Sequence, residues 1–208
     1  MYDTMAKIDI VTKALKCIDE IYPDANTLNE GYLPTEAFIG EAVRFVVDGV
    51  PAHTLGEGED PNWAGVEISD DGVGTIAMQE PLQGRIIYFK VADWRRPVTS
   101  VIHDTHPRYF QQSNRVLRGN PSQPVVALTK GRTAIEFYTT RLAEDAEWNK
   151  TDILDVRYMP YDADKIPENL IDLTAWKLAE IVLLSMSDST AASVCSARVN
   201  ELLEQLAL

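Results

Sequence analysis

Asn169-Leu-Ile-Asp-Leu-Thr-Ala-Trp-Lys-Leu-Ala-Glu-Ile-Val-Leu-Leu-Ser-Met186 is followed by Ser187-Asp-Ser-Thr190. Then comes Ala191-Ala-Ser-Val-Cys-Ser-Ala-Arg-Val-Asn-Glu-Leu-Leu-Glu-Gln-Leu206. The pattern predicts two helices and a short joint. In the first, Ile171, Ala175, Leu178, Val182 and Met186 recur at spacings of four, three, four and four, one face of a 3.6-residue period. The other side is not cleanly polar: Leu173, Trp176, Ile181 and Leu184 stand among Asp172, Lys177, Glu180 and Ser185. One apolar stripe against one core does not use up such a helix, so a second covering surface is expected. Asp188 and Ser189 can accept hydrogen bonds from the free N–H groups that open the second helix. Its seam is Cys195, Val199, Leu202 and Leu206, and Ala191, Ala192, Ser193, Ser196 and Ala197 let a neighbouring backbone come close.

Working outward, residues 4–22 predict a helix with Ile8, Val11, Leu15, Ile18 and Tyr22 on one face, stopped by Pro23. A polar turn over 24–31 leads to a second helix, with Thr35 as its cap, Phe38, Ala42, Phe45 and Val46 facing inward, and Gly49 and Pro51 at its end. An acidic, Gly-rich loop from His53 to Asn62 marks the boundary. Beyond it the period becomes two. Val66–Ser69 and Thr75–Gln79 flank Asp70-Asp71-Gly72, whose Asp-Gly supplies the positive φ of a hairpin turn. Further strands are expected at Arg85–Val91, Val125–Thr129, Thr133–Thr139 and Ile153–Tyr158. The predicted fold class is α+β. Residues 1–52 and 167–208 form a helical bundle, and 62–160 form an inserted antiparallel β lobe, sandwich or barrel-like, with a long loop at 93–123. A loop that long and rich in Pro, Arg, Asn, Gln and His points to a functional or interface segment.

The net charge of −13 is uneven. Residues 1–60 carry 12 acids and 4 bases, and residues 167–208 carry 6 and 2, while 61–166 are nearly balanced at 14 and 13. Grip on nucleic acid through phosphate neutralisation needs clustered cations and is not expected. The local exception is 84–118, where Arg85, Lys90, Arg95, Arg96, Arg108, Arg115 and Arg118 face only Asp93 and Asp104. Acidic ends of a neighbouring copy are a natural counterpart. Cys17 and Cys195 lie at apolar-periodic positions and read as small hydrophobes. The opening residues lack a basic region followed by an apolar run, and no stretch approaches a membrane span, so a soluble chain made in a cytoplasm is expected.

Chemistry-bearing clusters are few. His103-Asp104-Thr105-His106 puts two imidazoles and a carboxylate within four residues, but Pro107 follows and no third ligand stands at a recognisable spacing. Asp162-Ala163-Asp164 and Gly56-Glu57-Gly58-Glu59-Asp60 read as turn and solvated loop, and Gly72-Val73-Gly74 sits in a hairpin rather than between strand and helix. No nucleophile elbow or Walker-type motif occurs in the sequence. The expectation is a non-enzyme without metal or cofactor. Of the scattered Trp63, Trp94, Trp148 and Trp176, Trp94 beside Arg95 and Arg96 suits either a core or an interface anchor.

The layout resembles the head-to-tail connector proteins of tailed bacteriophages, the adaptor or ring proteins below the portal, particularly those of podovirus-like and gut crAss-like phages. The resemblance rests on the helix ending Glu20-Ile-Tyr-Pro23 and on Arg118-Gly-Asn-Pro-Ser-Gln-Pro-Val125 leading into the strands up to Tyr138. The small-residue-rich helix from Ser189 to Leu206 completes it. It implies a virion location, a ring of identical copies, commonly twelve, and partners in the portal and other tail proteins. Duplex DNA would pass through without specific binding, past acidic walls that repel its phosphates. A repeated heterologous contact needs two different sticky faces. The expected partner-contacting residues are Trp94, Arg95, Arg96, Arg108, Arg115 and Arg118, with Trp176, Leu178, Leu202 and Leu206 on the closing helices. Two other classes compete: a generic interaction subunit of small oligomeric state, and a metal-dependent hydrolase using His103, Asp104 and His106.

Overall fold

Apolar residues at spacings of three and four build the helices α1 (Met5–Ile21) and α2 (Thr35–Gly49) near one end of the chain. A single turn of helix, α3 (Pro107–Phe110), lies mid-chain, and α4 (Ile171–Ser185) and α5 (Ser189–Leu206) follow near the other end. The computed structural model describes residues 5–22, 34–61, 65–140 and 154–207. The turn expected over 24–31, Trp63 and Trp148 lie outside them. The chain divides into two compact units, Met1–Gly56 with Pro160–Leu208, and Glu57–Met159.

In the first unit α4 packs against α1, α2 and α5. Ten of its fifteen residues are buried, from Ile171 to Leu183. The second covering surface expected for this helix is therefore supplied by its own unit. Leu178 is fully buried and is corrected from partner contact to core; the polar gaps that made its helix look two-faced are filled by neighbouring helices. Trp176, Leu202 and Leu206 are half-buried. Within α4 the Thr174 hydroxyl donates to the Leu170 carbonyl at 2.8 Å, and Lys177 pairs with the buried Glu180 at 2.9 Å, so neither polar side chain is left unpaired. Lys177 also lies 4.1 Å from the ring centre of Phe45, which stays 39% exposed.

Two helix phases differ from the sequence expectation. In α1 the buried positions are Ile10, Ala14, Cys17 and Ile18, and Ile8 is 60% exposed. In α2 they are Ile39, Ala42, Val43, Val46 and Val47, while Phe38 and Phe45 sit at the margin. Where apolar residues exceed one stripe, the partner surface selects which of them go inside. Thr35 is buried inside the first turn and Pro34 takes the cap position without a side-chain cap bond. At the start of α5 the Asp188 carboxylate does cap, accepting from the Ala191 N–H at 3.0 Å, and the Tyr22 hydroxyl donates to its other oxygen.

The second unit contains β1 (Val66–Ile68), β2 (Val73–Ala77), β3 (Gly84–Val91), β4 (Ile102–His103), β5 (Val126–Thr129), β6 (Ala134–Tyr138) and β7 (Leu154–Pro160). Five strands form a sheet in the order β1-β2-β6-β5-β4, and β3 pairs with β7 separately. The expected antiparallel lobe is corrected to a mixed one: β4 runs parallel to β5, placed there by the crossover through the long segment after β3. Asp70-Asp71-Gly72 makes the expected hairpin turn, with Gly72 at φ 79°. Gly74 has a different constraint, since a Cβ there would stand 2.2 Å from the Phe137 ring. Ile76, Val126, Leu128, Ile135 and Phe137 from the larger sheet share one core with Ile86, Phe89, Val91 and Val156 from the smaller. This is a sandwich-like arrangement.

Trp94 belongs to that core, at 3% exposure, and is corrected from interface anchor. Its ring lies 5.7 Å from Phe89 and 6.4 Å from Phe137, and its indole N–H donates to the Tyr138 carbonyl at 2.7 Å. Both halves of the side chain are satisfied, the apolar body and the polar tip. The neighbouring Arg95 and Arg96 are exposed.

Because the middle of α4 is enclosed by α1, α2 and α5, truncating its central residue leaves a cavity that no single neighbour can fill. Leu178→Ala is expected to destabilise the helical unit by about 3 kcal/mol in urea unfolding of the full chain read by helical circular dichroism. A loss below about 1 kcal/mol would contradict this packing.

Candidate functional site

The segment from Asp93 to Gln123 is built, not slack. After β3 the chain folds back, and Phe89 and Val98 exchange both backbone hydrogen bonds, at 2.9 and 2.8 Å. Next come β4 and a turn in which the His106 Nδ1 accepts from the Arg108 N–H at 3.1 Å, capping α3 with Pro107 in its first turn. Asp104 accepts from the Lys130 N–H at 3.1 Å, and His103 is exposed at the end of β4. The cluster His103, Asp104 and His106 thus has two of its three members committed to backbone caps. Among the described residues no group of three or more His, Cys, Asp or Glu side chains converges as a metal site would require.

Beyond α3, three side-chain ties hold the segment to the sheet. Tyr109 donates its hydroxyl to Glu136 on β6 at 3.0 Å. Gln112, buried, donates to the Arg108 carbonyl at 2.8 Å and accepts from the Gly119 N–H at 2.7 Å, closing the segment on itself. Arg118 reaches Asp71 in the β1–β2 turn, with Nη1 2.8 Å from Oδ2 and Nη2 on the Asp71 carbonyl, and its guanidinium lies 5.7 Å from the centre of the Tyr138 ring. Arg118 is therefore corrected from an outward interface group to an internal tie. The segment's one close backbone approach is at Gly119, where a Cβ would meet Val125 at 2.9 Å and Tyr138 at 3.0 Å.

Electrostatics favours these ties at neutral pH. Burial, then the Glu136 contacts, pushes the Tyr109 hydroxyl up to about 12, so it remains a donor. Burial also raises Tyr138. The hydrogen bonds from Ser69 and Arg118 hold the exposed Asp71 carboxyl below its ordinary value. Between the segment and the sheet lies a recess of about 350 Å³, lined by Asp71, Val73, Glu136 and Tyr138 on one side and by Tyr109, Phe110, Gln112, Ser113 and Arg118 of the segment on the other.

What the ties leave outside is apolar. Phe110 is 71% exposed, Val116 88% and Leu117 62%. Exposed Arg108 and Arg115 flank them, and residues 105–120 contain no Asp or Glu. Asn114 turns the chain there, its side chain accepting from the Val116 N–H at 2.9 Å and its carbonyl from Leu117 and Arg118. Leaving each such side chain in water forgoes roughly 1.5–3 kcal/mol relative to burial. Three together on an anchored loop with cationic flanks have the composition of a protein-docking surface. Of the residues expected from sequence to contact partners, Arg108 and Arg115 stand on this surface. Arg95 and Arg96 belong to the same segment, and the Arg95 N–H donates to the Pro121 carbonyl at 3.0 Å. Phe110, Val116 and Leu117 were missed by the sequence reading; the available signal was apolar residues inside a polar, arginine-bearing, acid-free run.

Neither a family model nor a curated protein matches this chain.

Asp71's depressed value sets the sign of a pH effect. A carboxyl lowered by folding contributes stability that is fully present above its ordinary value and is lost as pH falls through the lowered one. The amide resonances of Val116, Leu117 and Arg118 are therefore expected to stay constant from pH 8 to about 5 and to move only below about pH 4. Movement centred near pH 6 would show that another group controls the loop.

Proposed function

We propose that this chain is a structural subunit that works by self-association: a virion head-to-tail connector whose copies form a ring on the portal of a tailed phage, around the path of the DNA. The observation that carries this reading is the anchored segment 107–118, which holds Phe110, Val116 and Leu117 out to solvent beside Arg108 and Arg115. A protein that acted alone would gain by burying those side chains; a subunit buries them on its neighbour.

Charge supports the same reading. Residues 1–56 and 160–208 carry 17 acidic and 7 basic side chains, a net −10. An acidic helical unit suits the wall of a conduit, where like charge keeps duplex phosphates from sticking. It also gives the cationic segment of another subunit a partner. The portal, other tail components and further copies of the chain are the partners this reading requires, with DNA as passing cargo. Among the described residues no helix is long and apolar enough to cross a membrane.

Arg95 and Arg96 test the role of the basic segment without touching its ties, because both side chains are exposed. The double substitution Arg95→Glu and Arg96→Glu takes the stretch 84–118 from +5 to +1. It is expected to raise the protein concentration needed for assembly, read by sedimentation velocity, by roughly tenfold or more, and to weaken capture on isolated portal rings. Unchanged assembly and unchanged capture would remove the basic stretch from the contact.

A further inference from the structure

We infer that the loop 107–118 of one copy docks into the concave surface between α4 and α5 of the next copy, so that one chain carries both halves of a head-to-tail contact. The inference rests on the connector reading and names its interface.

The two surfaces are opposite in charge, and each exposes apolar area. The loop projects, with Phe110 and Leu117 at its crest and Arg108 and Arg115 beside them. The helical surface is a hollow of about 450 Å³ lined by Glu180, Leu184, Ala192, Ser196, Ala197 and Asn200. Leu184 at its rim is 51% exposed, and Met186 just past α4 is 44% exposed. Exposed Glu201 and Glu204 continue along α5, on a unit whose net charge is −10. An aromatic or leucine crest suits such a hollow; Glu180 is held by Lys177 and Glu201 by Arg198, so the flanking arginines are drawn by Glu204 and by the net −10 of the unit as a whole.

A second copy is the occupant these features select. The loop's exposed apolar side chains want apolar contact, which a phosphate backbone does not offer; the hollow supplies it through Leu184, Ala192 and Ala197, while Ser189, Ser193, Ser196 and Asn200 give it a polar edge. Because the crest and the hollow are different surfaces, the contact is heterologous. Repetition of such a contact gives a closed ring where its rotation closes and an open filament where it does not; the connector reading requires the former.

Cross-linking between two single-cysteine variants tests this directly. Leu117→Cys and Ala197→Cys are made separately, checked by circular dichroism, mixed at low concentration, concentrated, and treated with a bismaleimide. The native thiols do not interfere: Cys17 and Cys195 are buried, which pushes them up to about 12 and about 11. The expected result is a covalent dimer in the mixture and in neither variant alone, reduced at least tenfold when Phe110→Asp is added to the Leu117→Cys chain. Self-cross-linking of Leu117→Cys would overturn the proposal in favour of a loop-to-loop contact. An uncross-linked mixture that still sediments as rings overturns this interface and leaves the connector reading standing; an uncross-linked mixture that stays monomeric with and without isolated portal rings overturns both. Duplex DNA retarded by the wild-type loop but not by Arg108→Glu/Arg115→Glu, with no cross-link in the mixture, would assign the loop to nucleic acid instead.

Discussion

Burial of α4 between three other helices is the constraint on which the helical unit depends. A helix with Leu173, Leu178, Ile181, Val182 and Leu183 distributed around its circumference cannot rest on one surface. It needs α1 and α2 from one part of the chain and α5 from another, so segments far apart in sequence are brought together. Residues 57–159 must then leave this unit and return to it, and they do so as a unit with a core of their own. The polar groups carried into the interior of the helical unit are matched locally: Thr174 to a carbonyl one turn back, Glu180 to Lys177. No distant partner is required to make α4 tolerable inside.

In the β unit the corresponding role falls to the Phe89, Trp94 and Phe137 rings, packed at 5.4 to 6.4 Å between centres. They join the two sheets and draw the start of the long segment into the core. From that fixed point the segment runs outward and is then tied down by Tyr109, Gln112 and Arg118. Polar bonds hold the backbone, and apolar side chains face water. The loop's apolar side chains are exposed on a backbone that its own hydrogen bonds hold in place.

How much of this was legible depends on how far apart the interacting residues are. The helices at both ends of the chain follow from spacings within a few residues, the β1–β2 turn from Asp71-Gly72, and the cap of α5 from Asp188. These are local signals, and they place the elements within a residue or two. The faces were less legible: Ile8 and Ile10 are both plausible inward residues of α1, and only the packing partner decides for Ile10. Trp94 beside two arginines looks like an anchor until Phe137, more than 40 residues on, is folded against it. The exposed apolar surface of the loop hid for the same reason. Its ties link residues 27 and 47 positions apart, Tyr109 to Glu136 and Asp71 to Arg118, and nothing local in either member announces the other. The two-residue strand β4 is too short to carry a period at all.

Together these features describe a subunit with a self-contained acidic helical unit and a β unit that carries an outward, cationic, apolar loop. On the function proposed above, such a chain meets copies of itself through unlike faces. The mass of the purified wild-type protein in solution, by light scattering with negative-stain imaging of the heaviest species, tests that claim most directly. The account expects closed rings with a central hole, of a mass on the order of twelve times the 23.2 kDa chain. A single monomeric or dimeric species at high concentration, unchanged on addition of portal rings, would contradict it.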